Sequence, residues 1–220
     1  MLDTHTPADR DTVLYLVRHG ETEYNRKGIV QGSGVDSVLN DTGWAQARAL
    51  AGRLSTVTVD AVYASTLRRA KQTAQVVSGP HEPISKTYLR DLEEISWGVF
   101  EGDPPSPDRD DAMQAVKDTW RRGDYGYAIE DGESIRDVEA RARRALAHVM
   151  ARHAGGTAVV VAHGRYLRVL LSSVLDGYSL ADMPRMDHSN TGVNRVVCRD
   201  GRFRADTLNC TQHLSAPTSA

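Results

Sequence analysis

Arg18, His19, Arg68, Glu94 and His163 are the side chains best suited to do chemistry, and their types point to one reaction. The apolar run Leu14-Tyr15-Leu16-Val17 leads directly into Arg18-His19-Gly20-Glu21-Thr22, with Asn25 following. A buried strand that ends in Arg-His-Gly delivers a cation and an imidazole to one edge of a sheet. The glycine lets the backbone turn where the strand stops. Open α/β folds bind ligands at that edge. Arg68 comes just after a second apolar run at 59–64, and His163 ends a third at 157–162. Two guanidiniums and two imidazoles gathered at one place repel one another unless an anion compensates them. A phosphoryl group suits them, because guanidinium forks bind its oxygens two at a time. His19 is therefore expected to be a phosphoryl-accepting nucleophile inside an anion cage. A metal site built from His19, His163 and Glu94 is the competing reading. The adjacent arginines would oppose a dication, and no paired-histidine motif of the zinc type occurs.

The elements that must position these groups are readable from pattern. A strand is expected at 13–17, followed by a glycine-containing loop at 28–38. Asn40 reads as a helix cap with Asp41 in the first turn, ahead of Ala47, Leu50, Ala51 and Leu54 at helical spacing. Ser65 reads as the cap of the next helix, whose inner stripe is Leu67, Ala70, Ala74 and Val77. That numbering puts Arg68 at the third helical position with Arg69 beside it, where an acid is the usual choice. Breaks of a local rule tend to mark functional sites, although both arginines could equally point into solvent. A short strand is expected at 84–88. Residues 103–111, rich in proline and aspartate, read as neither helix nor strand. Met113, Val116 and Trp120 suggest a short helix, and 123–132 a loop. Segments this long inside a compact domain are usually lids, so 103–132 is expected to lie over the site as a partly acidic insertion. Ser134 and Asp137 form a weak capping box that opens a helix running to about His153, ended by Gly155-Gly156. A helix at 166–175 follows the third strand. The last β segment is a hairpin of 193–199 and 202–209 about Asp200-Gly201. Strands each followed by a helix favour a parallel sheet. The expected fold is α/β, a three-layer α/β/α sandwich with a mostly parallel central sheet. A single domain over 1–214 and a disordered tail at 215–220 complete it.

With 220 residues and a formal net charge of -2, the chain gives no reason to expect nucleic acid or an anionic membrane as partner. Its apolar runs fall short of the roughly 20 residues that span a bilayer, and the polar first ten residues do not resemble a secretory signal. The hairpin sets Cys198 across from Phe203 and Cys210 far along the partner strand, so two free thiols in a reducing cytoplasm are expected. His5, His81, His148 and His153 read as surface histidines, the pair on the helix being five apart. His188 and His213 take no assignment.

Five segments together resemble one family. Leu16-Val17-Arg18-His19-Gly20-Glu21-Thr22 with Asn25 is similar to the signature of the histidine phosphatase superfamily, which includes cofactor-dependent phosphoglycerate mutases and small acid phosphatases. Ser65 to Ala74, Leu92 to Gly98 with Phe100-Glu101-Gly102, Gly132-Glu133-Ser134 and Val161-Ala162-His163-Gly164 resemble its further motifs, in the family's order. The family's acid precedes the glycine by four residues, which selects Glu94 over Glu93. The resemblance implies His19 as nucleophile, Glu94 as proton donor and acceptor, and Arg18, Arg68 and His163 as catalytic partners. Thr22, Asn25, Gln31 and Gly164 are then implied as substrate contacts, with no metal and no cofactor. Phe100 stands where many phosphatases carry tryptophan, and Arg165 where a second glycine is common, so relatives' specificity does not transfer. The short chain, the small lid and the loop Arg26 to Gly32 favour a phosphatase of phosphorylated small molecules, monomeric or homodimeric. A phosphoglycerate mutase and a non-catalytic phospho-ligand binding protein are the alternatives.

Overall fold

The computed structural model describes residues 11–215. The readings made for the first ten residues, His5 among them, and for the tail beyond Ser215 lie outside the described residues.

β4 (Thr157–Ala162) lies inside the sheet because Thr-Ala-Val-Val-Val-Ala offers apolar side chains to both faces, and all but Thr157 are buried. β1 (Thr12–Arg18) pairs with it in parallel on one side, and β2 (Ala61–Ser65) in parallel on the other. β3 (Ser85–Leu89) extends the parallel set beyond β2. β5 (Val193–Arg199) runs antiparallel to β1, and β6 (Arg202–Cys210) returns beside β5, giving the order β3-β2-β4-β1-β5-β6.

Alternation along the strands divides the interior into two layers. Leu14, Leu16, Tyr63 and Val160 pack with α5 (Ile135–Arg152) and α6 (Gly164–Val174). Val17, Val62, Val159 and Val161 face the other way, against α2 (Asp41–Leu54) and α3 (Arg68–Ser78). The fold is thus the expected α/β sandwich, mostly parallel with an antiparallel hairpin at the end. No helix among the described residues is long and apolar enough to cross a membrane.

Local signals for the boundaries hold at several points. Asn40 caps α2, its Oδ1 accepting from Gly43 N at 2.8 Å, and Ser134 with Asp137 forms the capping box of α5. Asp200 and Gly201 have φ of 52° and 76°, the left-handed pair that a two-residue hairpin needs. Cys198 pairs with Phe203 across the hairpin, and both cysteines are free.

Four readings need correction. Ser65 ends β2 rather than capping α3; Leu67 is the cap, so Arg68 and Arg69 are the first two helical residues. The segment at 103–111 is partly helical: α4 runs Pro107–Arg121, capped by the Ser106 hydroxyl, which accepts from Arg109 N at 3.2 Å. Proline just inside a capped start is compatible with a helix, and Asp108 and Asp110 complement its dipole. Gly20 is required by packing rather than by a turn conformation, since a Cβ there would lie 2.6 Å from the Gly43 carbonyl oxygen. His148 and His153 both flank Tyr63, because His153 sits past the end of α5, and its Nε2 meets the Tyr63 hydroxyl at 2.9 Å.

Candidate active site

The register of β1 against β4 pairs Arg18 with Ala162, and His19 N donates to Ala162 O at 3.0 Å. The residues that leave the two strands, His19 and His163, therefore meet at the carboxyl edge with ring centroids 5.1 Å apart. Both rings are buried. His19 Nδ1 lies 2.7 Å from the carbonyl oxygen of Gly20. A carbonyl only accepts, so Nδ1 carries the proton and Nε2 keeps its lone pair. Burial, then the positive charges of Arg69 and Arg18, hold the His19 pKa well below its usual value. Burial also comes first for His163, followed by Arg69, and neither of its ring nitrogens has a hydrogen-bond partner among the described residues.

Arg18 donates from a terminal nitrogen to His188 O at 2.8 Å, while its buried Nε has no partner among the described residues. Arg69 is fully buried, and its guanidinium donates to Val35 O at 2.6 Å and Gly32 O at 3.1 Å. The glycine-containing loop thus holds this arginine by its carbonyls, and Nε is again left over. Burial pulls the Arg69 pKa down to about 10, with the nearby Glu94 and Asp36 carboxylates working against that fall. Arg68, by contrast, is exposed, and among the described residues only its backbone amide is engaged, donating to Asp36 at 2.6 Å. The second guanidinium of the cluster is Arg69, not Arg68. Arg69 lies one turn before the buried Thr73, on the face of α3 that looks inward, whereas Arg68 lies one turn before the half-buried Gln72.

Glu94 is buried at the N-terminus of α6. Its Oε1 accepts from Tyr166 N at 2.9 Å and Ile95 N at 3.0 Å, and its Oε2 from Arg165 N at 3.0 Å. Helix amides that lack an internal partner thereby hold the carboxylate in place. The segment carrying it is clamped by Arg141, which donates to Glu93 O at 2.5 Å and Glu94 O at 3.1 Å while paired with Glu133 at 2.8 Å. Nothing in the sequence pattern marks Arg141, although Glu133 lies in one of the five recognised segments.

Thr22 and Asn25 form a capping box at α1 (Glu23–Lys27), each side chain accepting from the other's backbone amide. The Thr22 side chain is fully buried, and its hydroxyl also donates to Gln31 Oε1 at 3.0 Å. Ser37 donates to the same oxygen. The amino group of Gln31 is buried with no partner among the described residues, and so offers N–H donors. Asn190, which no motif flagged, donates to His19 O at 3.0 Å and to Asn25 Oδ1 at 3.3 Å. Gly164 opens α6, with space for a Cβ at 3.4 Å from Arg18 Nε.

A cavity of about 450 Å³ opens on this cluster, lined by Arg18, Glu94, Gly164 and His188 among others. α4 lines it with Gln114, Lys117, Trp120 and Arg121. None of the insertion's aspartates lines the cavity, although the charge of Asp110 acts on Lys117. Asp108, Asp110 and Asp111 sit at the far, N-terminal end of the helix. Among the described residues, no group of three or more His, Cys, Asp or Glu is arranged to hold a metal ion.

A profile of the histidine phosphatase superfamily (branch 1) matches residues 14–211. The chain belongs to this superfamily. It is 30% identical over 215 residues to the protein named "Probable phosphoglycerate mutase GpmB" of Enterobacter sp. (strain 638), covering 93% of this chain and 95% of that one. The structure of Bacillus stearothermophilus YhfR superposes with a TM-score of 0.81 at 31% identity, covering 92% of this chain and 99% of that chain. A mycobacterial glucosyl-3-phosphoglycerate phosphatase superposes with a TM-score of 0.79 at 28% identity, covering 91% of this chain and 100% of that chain. As a superfamily member with phosphatase and mutase-like relatives, the protein is an enzyme of the histidine phosphatase type.

Burial makes this end of the molecule acid-sensitive. His188 and His213 are also buried, and desolvation takes them down to about 3 and about 4. Below about pH 6.5 the unfolded chain takes up protons at these four histidines while the folded protein does not. Stability is thus complete above about pH 6.5 and falls as the pH drops toward the folded values. The melting temperature is expected to fall by more than about 5 °C between pH 7 and pH 5. A flat profile over that range, measured by calorimetry, contradicts neutral buried imidazoles.

Proposed function

We propose that the protein hydrolyses phosphomonoesters of small molecules through a phosphohistidine on Nε2 of His19. The observation that carries this reading is the 2.7 Å contact between Nδ1 and Gly20 O, which leaves Nε2 as the free nucleophile beside Arg18, Arg69 and His163. In the first step Nε2 attacks phosphorus in line, the ester P–O bond breaks, and the departing alkoxide takes a proton from Glu94. In the second, water gives a proton to Glu94 and attacks the phosphohistidine, the P–N bond breaks, and phosphate leaves. Arg18, Arg69, His163 and the Gln31 amino group supply donors for the oxygens as charge develops on them. Thr22 acts through Gln31, and Asn25 through the turn below His19, as positioning residues. The cations present do the work of a metal, so activity does not depend on one. Two free thiols fit a reducing cytoplasm.

The test is capture of labelled phosphate from a labelled ester, with chelator present. The label should be protein-bound, acid-labile and stable to alkali. Turnover without any such label, or activity lost to chelator and restored by magnesium or zinc, sinks the scheme.

Arg69→Ala should lower kcat/KM by about 10²–10³-fold, whereas Arg68→Ala should stay close to wild type. The reverse ranking, in steady-state assays of the two purified variants, rejects the inward arginine as the phosphate clamp.

The similarity to a mutase-named relative favours one second reading, phosphoryl return to a phosphoglycerate. Bisphosphoglycerate-dependent interconversion of phosphoglycerates, faster than phosphate release, selects it.

A further inference from the structure

The cavity is larger than one phosphoryl group needs, and the wall that α4 and α6 give it is cationic. Lys117 and Arg121 of α4 and Arg165 and Arg168 of α6 line it, whereas Glu94 is the only carboxylate among its lining residues. Both Glu94 oxygens already accept backbone amides. Arg121 is paired with Asp118 at 2.6 Å, and Arg168 has, among the described residues, only the exposed Asp187, at 3.6 Å. Lys117 and Arg165 line the same cavity with no ion-pair partner among the described residues. Arg165 is also held in place: its guanidinium carbon lies 5.6 Å from the ring centres of both Trp97 and Trp120. Stacking on two indoles costs the guanidinium none of its N–H donors, which stay available at the edge. The cations destabilise one another here. Burial and then Arg168 take the Arg165 pKa down to about 10, and burial and then Arg165 lower that of Lys117.

Clustered positive charge, with Arg165 held against two indoles and the Glu94 and Asp110 carboxylates offsetting it only in part, calls for a second anion beside the phosphate site. We infer that the substrate is a phosphomonoester bearing a further carboxylate or phosphate group remote from the ester, held by Lys117 and Arg165 with Arg168 and Arg121 at the rim. This rests on the reading of His19 as the phosphoryl acceptor. The insertion carrying α4 is then a specificity element that contributes charge rather than merely a cover.

Three esters of similar length separate the possibilities: glycerol 3-phosphate, 3-phosphoglycerate and propane-1,3-diol bisphosphate. A charge-assisted contact made by one ester and not another is worth about 10- to 100-fold. The wild type is expected to prefer at least one of the two doubly anionic esters over glycerol 3-phosphate by that factor in kcat/KM, and the better of them identifies the second group. Lys117→Gln, on a helix surface where it does not endanger folding, should cut this preference about tenfold, mainly through KM. Arg165→Gln should do the same, and Arg122→Gln, outside the cavity, should leave the preference as it is. Equal kcat/KM for all three esters in the wild type overturns the inference, as does a preference that survives both cavity substitutions. Neither of those results touches the phosphohistidine, whose failure shows separately as turnover without the acid-labile label.

Discussion

Replacing His19 by asparagine is expected to abolish the acid-labile phosphoenzyme and lower kcat by on the order of 10⁴ or more, with the fold retained. Asparagine is the informative choice because its amide nitrogen can take over the hydrogen bond that Nδ1 now gives to Gly20 O. Alanine would leave that carbonyl unsatisfied in a buried turn, at about 1–3 kcal/mol, and confuse loss of structure with loss of chemistry. The asparagine variant has no ring nitrogen to attack phosphorus, yet Arg18, Arg69 and His163 remain to bind an oxyanion. Inorganic phosphate should therefore still inhibit any residual activity and still raise the melting temperature. A variant that keeps a tenth of wild-type turnover, or that still traps labelled phosphate, removes His19 from the reaction. Loss of phosphate binding together with turnover would instead mean that the imidazole served the cage and not the bond.

The part of this site that was legible in the sequence is the part fixed by strands. The apolar run Leu14 to Val17 and the doubly apolar run in β4 determine which residues reach the sheet edge, so His19 and His163 could be brought together before any coordinates. The part that was not legible hangs on helix starts and on loop carbonyls. Ser65 has the residue type of a cap, but its hydroxyl instead accepts from Leu67 N at 3.2 Å, and the helix begins later. The inner stripe of Ala70, Ala74 and Val77 is as expected, and at about 100° per residue it places Arg69 nearer the buried face than Arg68, a phase that a cap at Ser65 does not reveal. The same weakness hid the first turns of α4, where 103–111 reads as neither helix nor strand although proline at the first helical position is compatible with a start. Its consequence was larger: the short helix expected from Met113, Val116 and Trp120 also carries Gln114 and Lys117, yet the aspartates of 103–111 dominated the reading of the insertion. Arg141 and Asn190 act on backbone carbonyls far away in sequence, contacts for which no local pattern exists.

Glu94→Gln should reduce turnover of alkyl phosphates by about 10²–10⁴-fold, and the choice of leaving group tells what has been lost. An alkoxide needs a proton as it departs, whereas nitrophenolate does not. With nitrophenyl phosphate the variant should still release one equivalent of nitrophenolate per active site in a rapid burst, then stall, because water must lose a proton to the same side chain before the phosphohistidine can be cleaved. Burst size and the trapped label should match. The substitution also has a structural cost, since the glutamine amino group cannot accept from the amides of Arg165, Tyr166 or Ile95 that now converge on the carboxylate. Misplacement from that cause would depress the burst and the steady state alike, for either leaving group. A burst preserved for nitrophenyl phosphate and absent for an alkyl ester is the signature of proton transfer. Equal loss for both esters, with the melting temperature unchanged, assigns Glu94 to positioning α6 and leaves the proton donor to be found elsewhere in the cavity.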